Sequence, residues 1–385
     1  MWGTLPAKNI LKRPDESIVI ASDDSSETQS FELFVSSWNV GGIEPPDDFD
    51  MGDLLNIHKN TADIYVLGFQ EIVPLNAGSI IASENSSVSY KWNSLIRSAL
   101  NKRASSTITI QKAEAGECQK VCPLHRDAYF NSAAAAFECI ASKQMVGVFV
   151  TIWARTQIHH YINHIDVSCV GCGIFGRIGN KGSVSVRFRL HETTFCFVCS
   201  HLASGGNKGD EKHRNTDATQ ILSRTRFPSG PSQALPRKIV DHDRVIWLGD
   251  LNYRIYLPEA TTRSLVNDGQ WSILLQNDQL KSELTEGHVF EGWHEEEIKF
   301  APTYKYNTNS EDYYDCDQKR HSKKCRTPAW CDRIISFGNG LKQKHYDRCE
   351  SRLSDHRPVR GIFTAEVKLA RSFIRGEVKK LLAKD

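Results

Sequence analysis

Five short polar clusters in this chain hold groups that can bind a metal, move a proton or steady a phosphoryl oxygen. Asn39 in Trp38-Asn-Val-Gly-Gly and Glu71 in Gly68-Phe-Gln-Glu are hard oxygen ligands. They suit Mg2+, which takes one or two carboxylates and keeps several waters. Asp250 in Gly249-Asp-Leu-Asn-Tyr-Arg can accept a proton from water as general base, and Asn252 can orient that water or a phosphate oxygen. His201 in Ser200-His-Leu and His356 in Ser354-Asp-His-Arg-Pro-Val can hydrogen-bond a phosphoryl oxygen as charge builds on it. Asp355, next to His356, can hold an imidazole in one tautomer. Each residue alone has an ordinary explanation: an Asp or Asn after a strand is usually a turn former, and a lone His is more often structural. The joint pattern is what chance does not supply. Gly-Asp-Leu-Asn-Tyr-Arg is its most specific piece and Ser-Asp-His-Arg-Pro the next.

These clusters need elements to bring them together. Each lies just beyond the end of a strand-like run or just before one. The pattern predicts strands at 31–38, 62–69, 146–153, 165–172, 183–190, 194–200, 244–248, 332–337 and 358–364, with Gly and Asn punctuating the central series. Helical spacing predicts helices over 90–103, 208–226, 258–268 and 270–283. So many strands with few helices between them argue against an alternating parallel sheet and for a two-sheet α+β sandwich. Packed that way, the five clusters can converge on one rim. Residues 1–30, polar and without periodicity, read as a mobile tail. Residues 102–142, polar and Ala-rich, read as an insertion, and 368–385 as a basic amphipathic helix.

The 385 residues, 40% hydrophobic and 24% charged, are ordinary globular composition and exclude wholesale disorder, collagen and coiled coil. The longest apolar run falls far short of the ~20 residues of a membrane span, and no secretory pattern opens the chain. A net charge of +2 excludes a bulk polycation for nucleic acid. Eleven cysteines without a secretory signal read as reduced thiols. Cys118, Cys122, His125 and Cys139 carry no C-x-x-C pair, so zinc is the weaker reading there. The expectation is a cytoplasmic monomer.

The chain resembles the inositol polyphosphate 5-phosphatases of the deoxyribonuclease-I-like endonuclease/exonuclease/phosphatase superfamily, most of all their small plant type I members. Besides the five clusters, the likeness rests on Ile72-Val-Pro-Leu-Asn-Ala-Gly, Phe175-Gly-Arg-Ile-Gly-Asn-Lys-Gly, Phe300-Ala-Pro-Thr-Tyr-Lys-Tyr and Pro328-Ala-Trp-Cys-Asp-Arg-Ile. It implies a single catalytic domain over 31–367 with a four-layer α/β/β/α sandwich, two mixed sheets with helices outside. It also implies Mg2+-dependent hydrolysis of the 5-phosphate of phosphoinositides, or of soluble inositol phosphates, by in-line attack of water.

By that resemblance Glu71 and Asn39 hold Mg2+, and Asp250 activates the water that Asn252 positions. His201 and His356 contact the scissile phosphate and Asp355 supports the site. Tyr304, Lys305, Lys324 and Arg326 grip the neighbouring 4-phosphate, for which Arg supplies a fork and Lys a point charge. Asn180 and Lys181 face the inositol and its 1-phosphate, Arg254 joins the substrate contacts, and Asp332 and Arg333 support the site from behind. A lipid substrate implies peripheral contact with a membrane, for which Pro74–Ala82 and Arg371–Lys384 are the candidate surfaces. Another metal-dependent phosphodiesterase of the superfamily, an endonuclease or a sphingomyelinase-like enzyme, is the alternative. The Tyr304–Arg326 grip and the near-neutral charge argue against it.

Overall fold

The computed structural model describes residues 27–56, 62–74, 86–101, 135–173, 181–229, 235–314 and 326–370. Among the described residues, eleven strands form two mixed sheets. One sheet has the order β10-β11-β1-β2-β4-β3: Leu341–Arg348, Val359–Lys368, Thr28–Asn39, Ile64–Gln70, Val148–Arg155 and Phe137–Met145. The other runs β5-β6-β7-β8-β9: Ile162–Gly171, Gly182–Leu190, Thr193–His201, Arg244–Asp250 and Asp332–Phe337. Strand alternation builds the layers. On β1, Leu33 and Val35 join the core between the sheets, while Phe34 and Trp38 join the outer core under α1 (Ser86–Asn101), with its Trp92 and Ile96. On β8, Ile246 and Leu248 face the shared core. Val245 and Trp247 pack outward with Ala218 and Ile221 of α2 (Glu211–Arg224). This is the helix–sheet–sheet–helix sandwich that the resemblance implies, with the two sheets that the strand-rich pattern predicts.

Each sheet contains one parallel pair, β1 with β2 and β7 with β8; the other pairings are antiparallel. Parallel neighbours end on the same side. Asn39 and Gln70 therefore finish together in one sheet, and His201 and Asp250 finish together in the other. Antiparallel β9 starts where β8 ends, setting Asp332 opposite Asp250, and β11 starts beside the end of β1. Two glycines allow close approach, one between the sheets and one between neighbouring strands of a sheet. A Cβ on Gly68 would stand 2.7 Å from Cys199 Sγ across the sheets, and one on Gly249 would stand 2.1 Å from the Ser200 carbonyl oxygen.

Four expectations need correction. The N-terminal segment read as a tail through residue 30 gives way to strand at Thr28, because Thr28, Gln29 and Ser30 pair with Lys368, Val367 and Glu366. The segment 102–142 does not extend to 142 as an insertion, since Phe137–Met145 is an edge strand. A bulge between Cys139 and Ala141 breaks its alternation, and residues 102–134 lie outside the described residues. The helix over 270–283 is two, α4 (Trp271–Gln276) and α5 (Gln279–Glu286), after α3 (Glu259–Asn267); Asp278 caps α5 by accepting from Lys281 N. The C-terminal helix from 368 begins too early, because Lys368 ends β11; residues 371–385 lie outside the described residues. The strand β10 was not expected: Leu-Lys-Gln-Lys-His-Tyr-Asp-Arg buries only Gln343 and Tyr346, as a polar sheet edge does.

Among the described residues, no helix is long and apolar enough to cross a membrane, and the seven cysteines are free thiols. Cys139 is buried on β3 beside Thr151; Cys118, Cys122 and His125 lie outside the described residues.

Candidate active site

The strand ends meet in a floor of carboxylates and imidazoles. Asn39 Nδ2 donates to Asp250 Oδ2 at 2.9 Å and to Glu71 Oε1 at 3.3 Å, and its Oδ1 accepts from Gly41 N. His201 Nε2 lies 3.2 Å from Asp250 Oδ2 and 3.8 Å from Glu71 Oε1. His356 Nε2 stands 4.0 Å from the same Asp250 oxygen. Asp250 and His201 are each 1% exposed, whereas the Glu71 side chain is 27% exposed and so opens the floor to solvent. Glu71 and Asn252 both sit in the left-handed backbone region, φ 54° and 58°. Such a conformation is tolerable for Asn and unusual for Glu, and it tends to mark functional turns.

The tautomer of His356 is set by Asp332, not by Asp355. His356 Nδ1 donates to Asp332 Oδ2 at 2.8 Å, and Thr303 Oγ1 donates to that oxygen at 2.7 Å. Asp355 instead accepts from Lys305 Nζ at 2.5 Å. His356 makes a bridge with Tyr304, and Asp355 beside it is engaged by Lys305, so the sequence neighbour of His356 does not hold its ring. Ser354 fixes the segment by donating to Asn39 O at 2.6 Å.

Charge divides the two imidazoles. Burial alone would lower His356, but the charge and hydrogen bond of Asp332, with Asp250 and Asp355 behind, lift it to about 9. His201 goes the other way: burial and the ammonium of Lys181 lower it against the pull of Asp250 and Glu71. The site therefore holds one cationic and one neutral ring at neutral pH. Burial would raise the Asp250 carboxyl; His201, His356 and Lys181 outweigh that and hold it well below the usual carboxylate range.

Lys181, expected to face the inositol ring, has its Nζ against His201 Nε2. Burial brings its ammonium down to about 8, while Asp250 and Glu71 pull it up. Two carboxylates that share one Asn amide and draw in an ammonium form a donor set suited to a hard divalent cation. Asp250, Asp332 and His356 form a further group of ligand-type atoms within 4.8 Å of one another.

A cationic flank adjoins this floor. The Tyr304 ring packs on His356 with centroids 4.6 Å apart, and the Arg254 guanidinium lies 4.5 Å above it. Lys305 Nζ is 5.6 Å from the same ring, and the charge of Arg326 bears on both Tyr304 and Lys305. Arg254 Nη2 also donates to Asn252 Oδ1 at 2.6 Å, while Asn252 Nδ2 donates to Leu202 O. Asn180 and Lys324 lie outside the described residues. Arg333 stands apart from the floor, buried between Asp278 (2.9 and 3.0 Å) and Glu295.

Sequence reasoning missed several supports. Thr303 and Ser354 lie inside quoted motifs but have no recognisable role without the fold. Gln279 accepts from Arg254 N and from the fully buried Arg214, and nothing in its helix marks it. Arg348, on the unexpected β10, donates to the carbonyls of Ala301 and Pro302 and to Tyr306 Oη under the flank.

Residues 36–362 match the family described as Endonuclease/Exonuclease/phosphatase family 2. The chain is 57% identical over 342 residues to type IV inositol polyphosphate 5-phosphatase 9 of Arabidopsis thaliana, covering 89% of this chain and 79% of that relative. It is 46% identical over 343 residues to type I inositol polyphosphate 5-phosphatase 8 of the same plant, covering 88% and 71%. Among solved structures it resembles the inositol polyphosphate 5-phosphatase domain of SPsynaptojanin, in complex with inositol (1,4)-bisphosphate and calcium ion. There the TM-score is 0.70 and the identity 29%, over 93% of this chain and 91% of that one.

Proposed function

This chain belongs to the inositol polyphosphate 5-phosphatases of the endonuclease/exonuclease/phosphatase family, and we propose that it removes the 5-phosphate from inositides that also carry a 4-phosphate. The substrates are phosphatidylinositol 4,5-bisphosphate, its 3,4,5-trisphosphate counterpart and soluble inositol polyphosphates. One observation carries the reading: we take the Tyr304 ring, within contact range of a floor imidazole and of two cations, as a wall between two neighbouring sites. His356 packs at 4.6 Å on the floor side, and Arg254 and Lys305 lie within 4.5 and 5.6 Å of the ring. Vicinal phosphates on one ring would sit on either side of such a wall, the 5-phosphate over the floor and the 4-phosphate against Lys305 and Arg326.

Water attacks phosphorus in line as the bond to the inositol oxygen breaks. Asp250 takes the proton of that water. Its low basicity suits a loose phosphoryl transition state, in which little proton transfer is needed early. His356, charged, donates to an equatorial oxygen, and His201 with Asn252 orients the phosphoryl group. Glu71 and Asn39 would hold Mg2+, which supplies charge neutralisation at the phosphoryl and leaving oxygens. Lipid substrate would be met by peripheral contact with the membrane surface.

The test is phosphate release from position-specific lipid and soluble inositol phosphates, with and without Mg2+, beside Asp250→Ala. Release that needs the metal and the 5-phosphate, and that falls about 10³-fold or more in Asp250→Ala, is expected. Undiminished turnover by Asp250→Ala would sink the assignment of the base.

A further inference from the structure

We infer that Arg263, on α3, is the positioning residue of the 4-phosphate grip: its one guanidinium ties Tyr314 to Arg326 and so fixes where Lys305 and Arg326 stand. The inference rests on the reading of Tyr304, Lys305 and Arg326 as that grip. Arg263 Nη2 donates to the carbonyl oxygens of Tyr314, at 2.8 Å, and Arg326, at 3.2 Å. Its Nε donates to Glu259 Oε1 at 2.9 Å, one helical turn earlier, which holds the plane of the guanidinium.

Both carbonyls lead directly to the grip. Tyr314 N donates to Lys305 O at 2.7 Å, and the Tyr314 ring lies 5.7 Å from Lys305 Nζ. The main chain of Lys305 is thus pinned to Tyr314, and Tyr314 is pinned to Arg263. Arg326 is pinned to the same guanidinium through its own carbonyl. Helix α3 is itself anchored, with Thr262 and Val266 buried, so the clamp refers two loop cations to a fixed element. The chemistry asks for arginine: two carbonyls and a carboxylate need several N–H groups in one plane, and a lysine ammonium cannot span them with the same geometry. The hydrogen bonds of Arg263 go to those two carbonyls and to Glu259. It acts through the residues it holds.

The experiment compares wild type, Arg263→Ala and Arg263→Lys on two soluble substrates, one carrying the 4- and 5-phosphates and one carrying the 5-phosphate without the 4-phosphate. Arg263→Ala is expected to raise KM for the first about tenfold with kcat within about twofold, and to change both constants for the second by less than about twofold. Arg263→Lys is expected to fall between. If Arg263→Ala does not fold, the lysine variant is read alone: a raised KM confined to the 4-phosphorylated substrate supports the clamp, and an unchanged one overturns it. A wild-type preference for the 4-phosphate that survives intact in Arg263→Ala overturns the inference alone. Absence of that preference in wild type overturns the reading of the grip, and the clamp falls with it.

Discussion

The floor and the flank of this site are built from different material. The floor stands on the ends of β1, β7 and β8, the start of β9, the turn after β2 and the segment that leads into β11. Its Asn39, His201, Asp250, Asp332 and His356 are all under 5% exposed. The flank is irregular chain: Tyr304, Lys305 and Arg326 come from loops, and Lys305 leaves about a quarter of its side chain in solvent. Ladder hydrogen bonds hold the floor. Side chains reaching in from β10, α3 and α5 hold the flank. On the proposed reading, the groups assigned to the reacting phosphate sit on or beside sheet strands, and those assigned to the 4-phosphate sit on irregular chain held by side chains.

That contrast can be broken or sharpened by substitution. Asp332→Asn should cut deepest, lowering kcat about 10²–10³-fold with little change in KM, because His356 loses the carboxylate that keeps it charged and in one tautomer. The pH profile gives the sign. His356 is charged below about 9 and loses its proton above, so activity should fall as pH rises through that value. Removing the Asp332 charge lowers the ring and must move the alkaline limb toward neutrality. A limb that stays in place would assign it to another group.

Lys305→Ala should do the opposite, raising KM for 4-phosphorylated substrate about ten- to a hundredfold while kcat holds within a few-fold. Equal losses in kcat and kcat/KM would mean the flank takes part in the chemistry. The smallest change is Tyr313→Phe. It removes the hydrogen bond from Tyr313 Oη to Pro302 O at 2.7 Å along with the hydroxyl's contacts to Tyr306 and Arg348, and should cost about 1–2 kcal/mol in chemical denaturation, with activity within about twofold.

The same contrast explains what could be read beforehand. The floor residues were legible because a polar residue of the right chemistry ends each apolar strand run, and the strand ends then meet by parallel pairing. Their mutual roles were not. Asp355 adjoins His356 in the chain and looked like its partner, yet Asp332, brought in by antiparallel pairing of β8 and β9, takes that place. The flank was legible only as a basic stretch inside motifs. Its supports were invisible, because Arg263 and Gln279 look like ordinary helix residues and β10 reads as a polar loop until it pairs with β11. The break at Asp278 was hidden for a similar reason: Asp278 caps α5 and pairs with buried Arg333, 55 residues away.

The most direct measurement is to identify the product. Wild-type protein is incubated with Mg2+ and a soluble inositol phosphate bearing 4- and 5-phosphates, and the product is resolved by phosphorus and proton NMR. Loss of the 5-phosphate alone, with the 4-phosphate intact, is the predicted result. Loss of the 4-phosphate, or release without positional preference, would contradict a floor that acts on one phosphate while the flank holds the other.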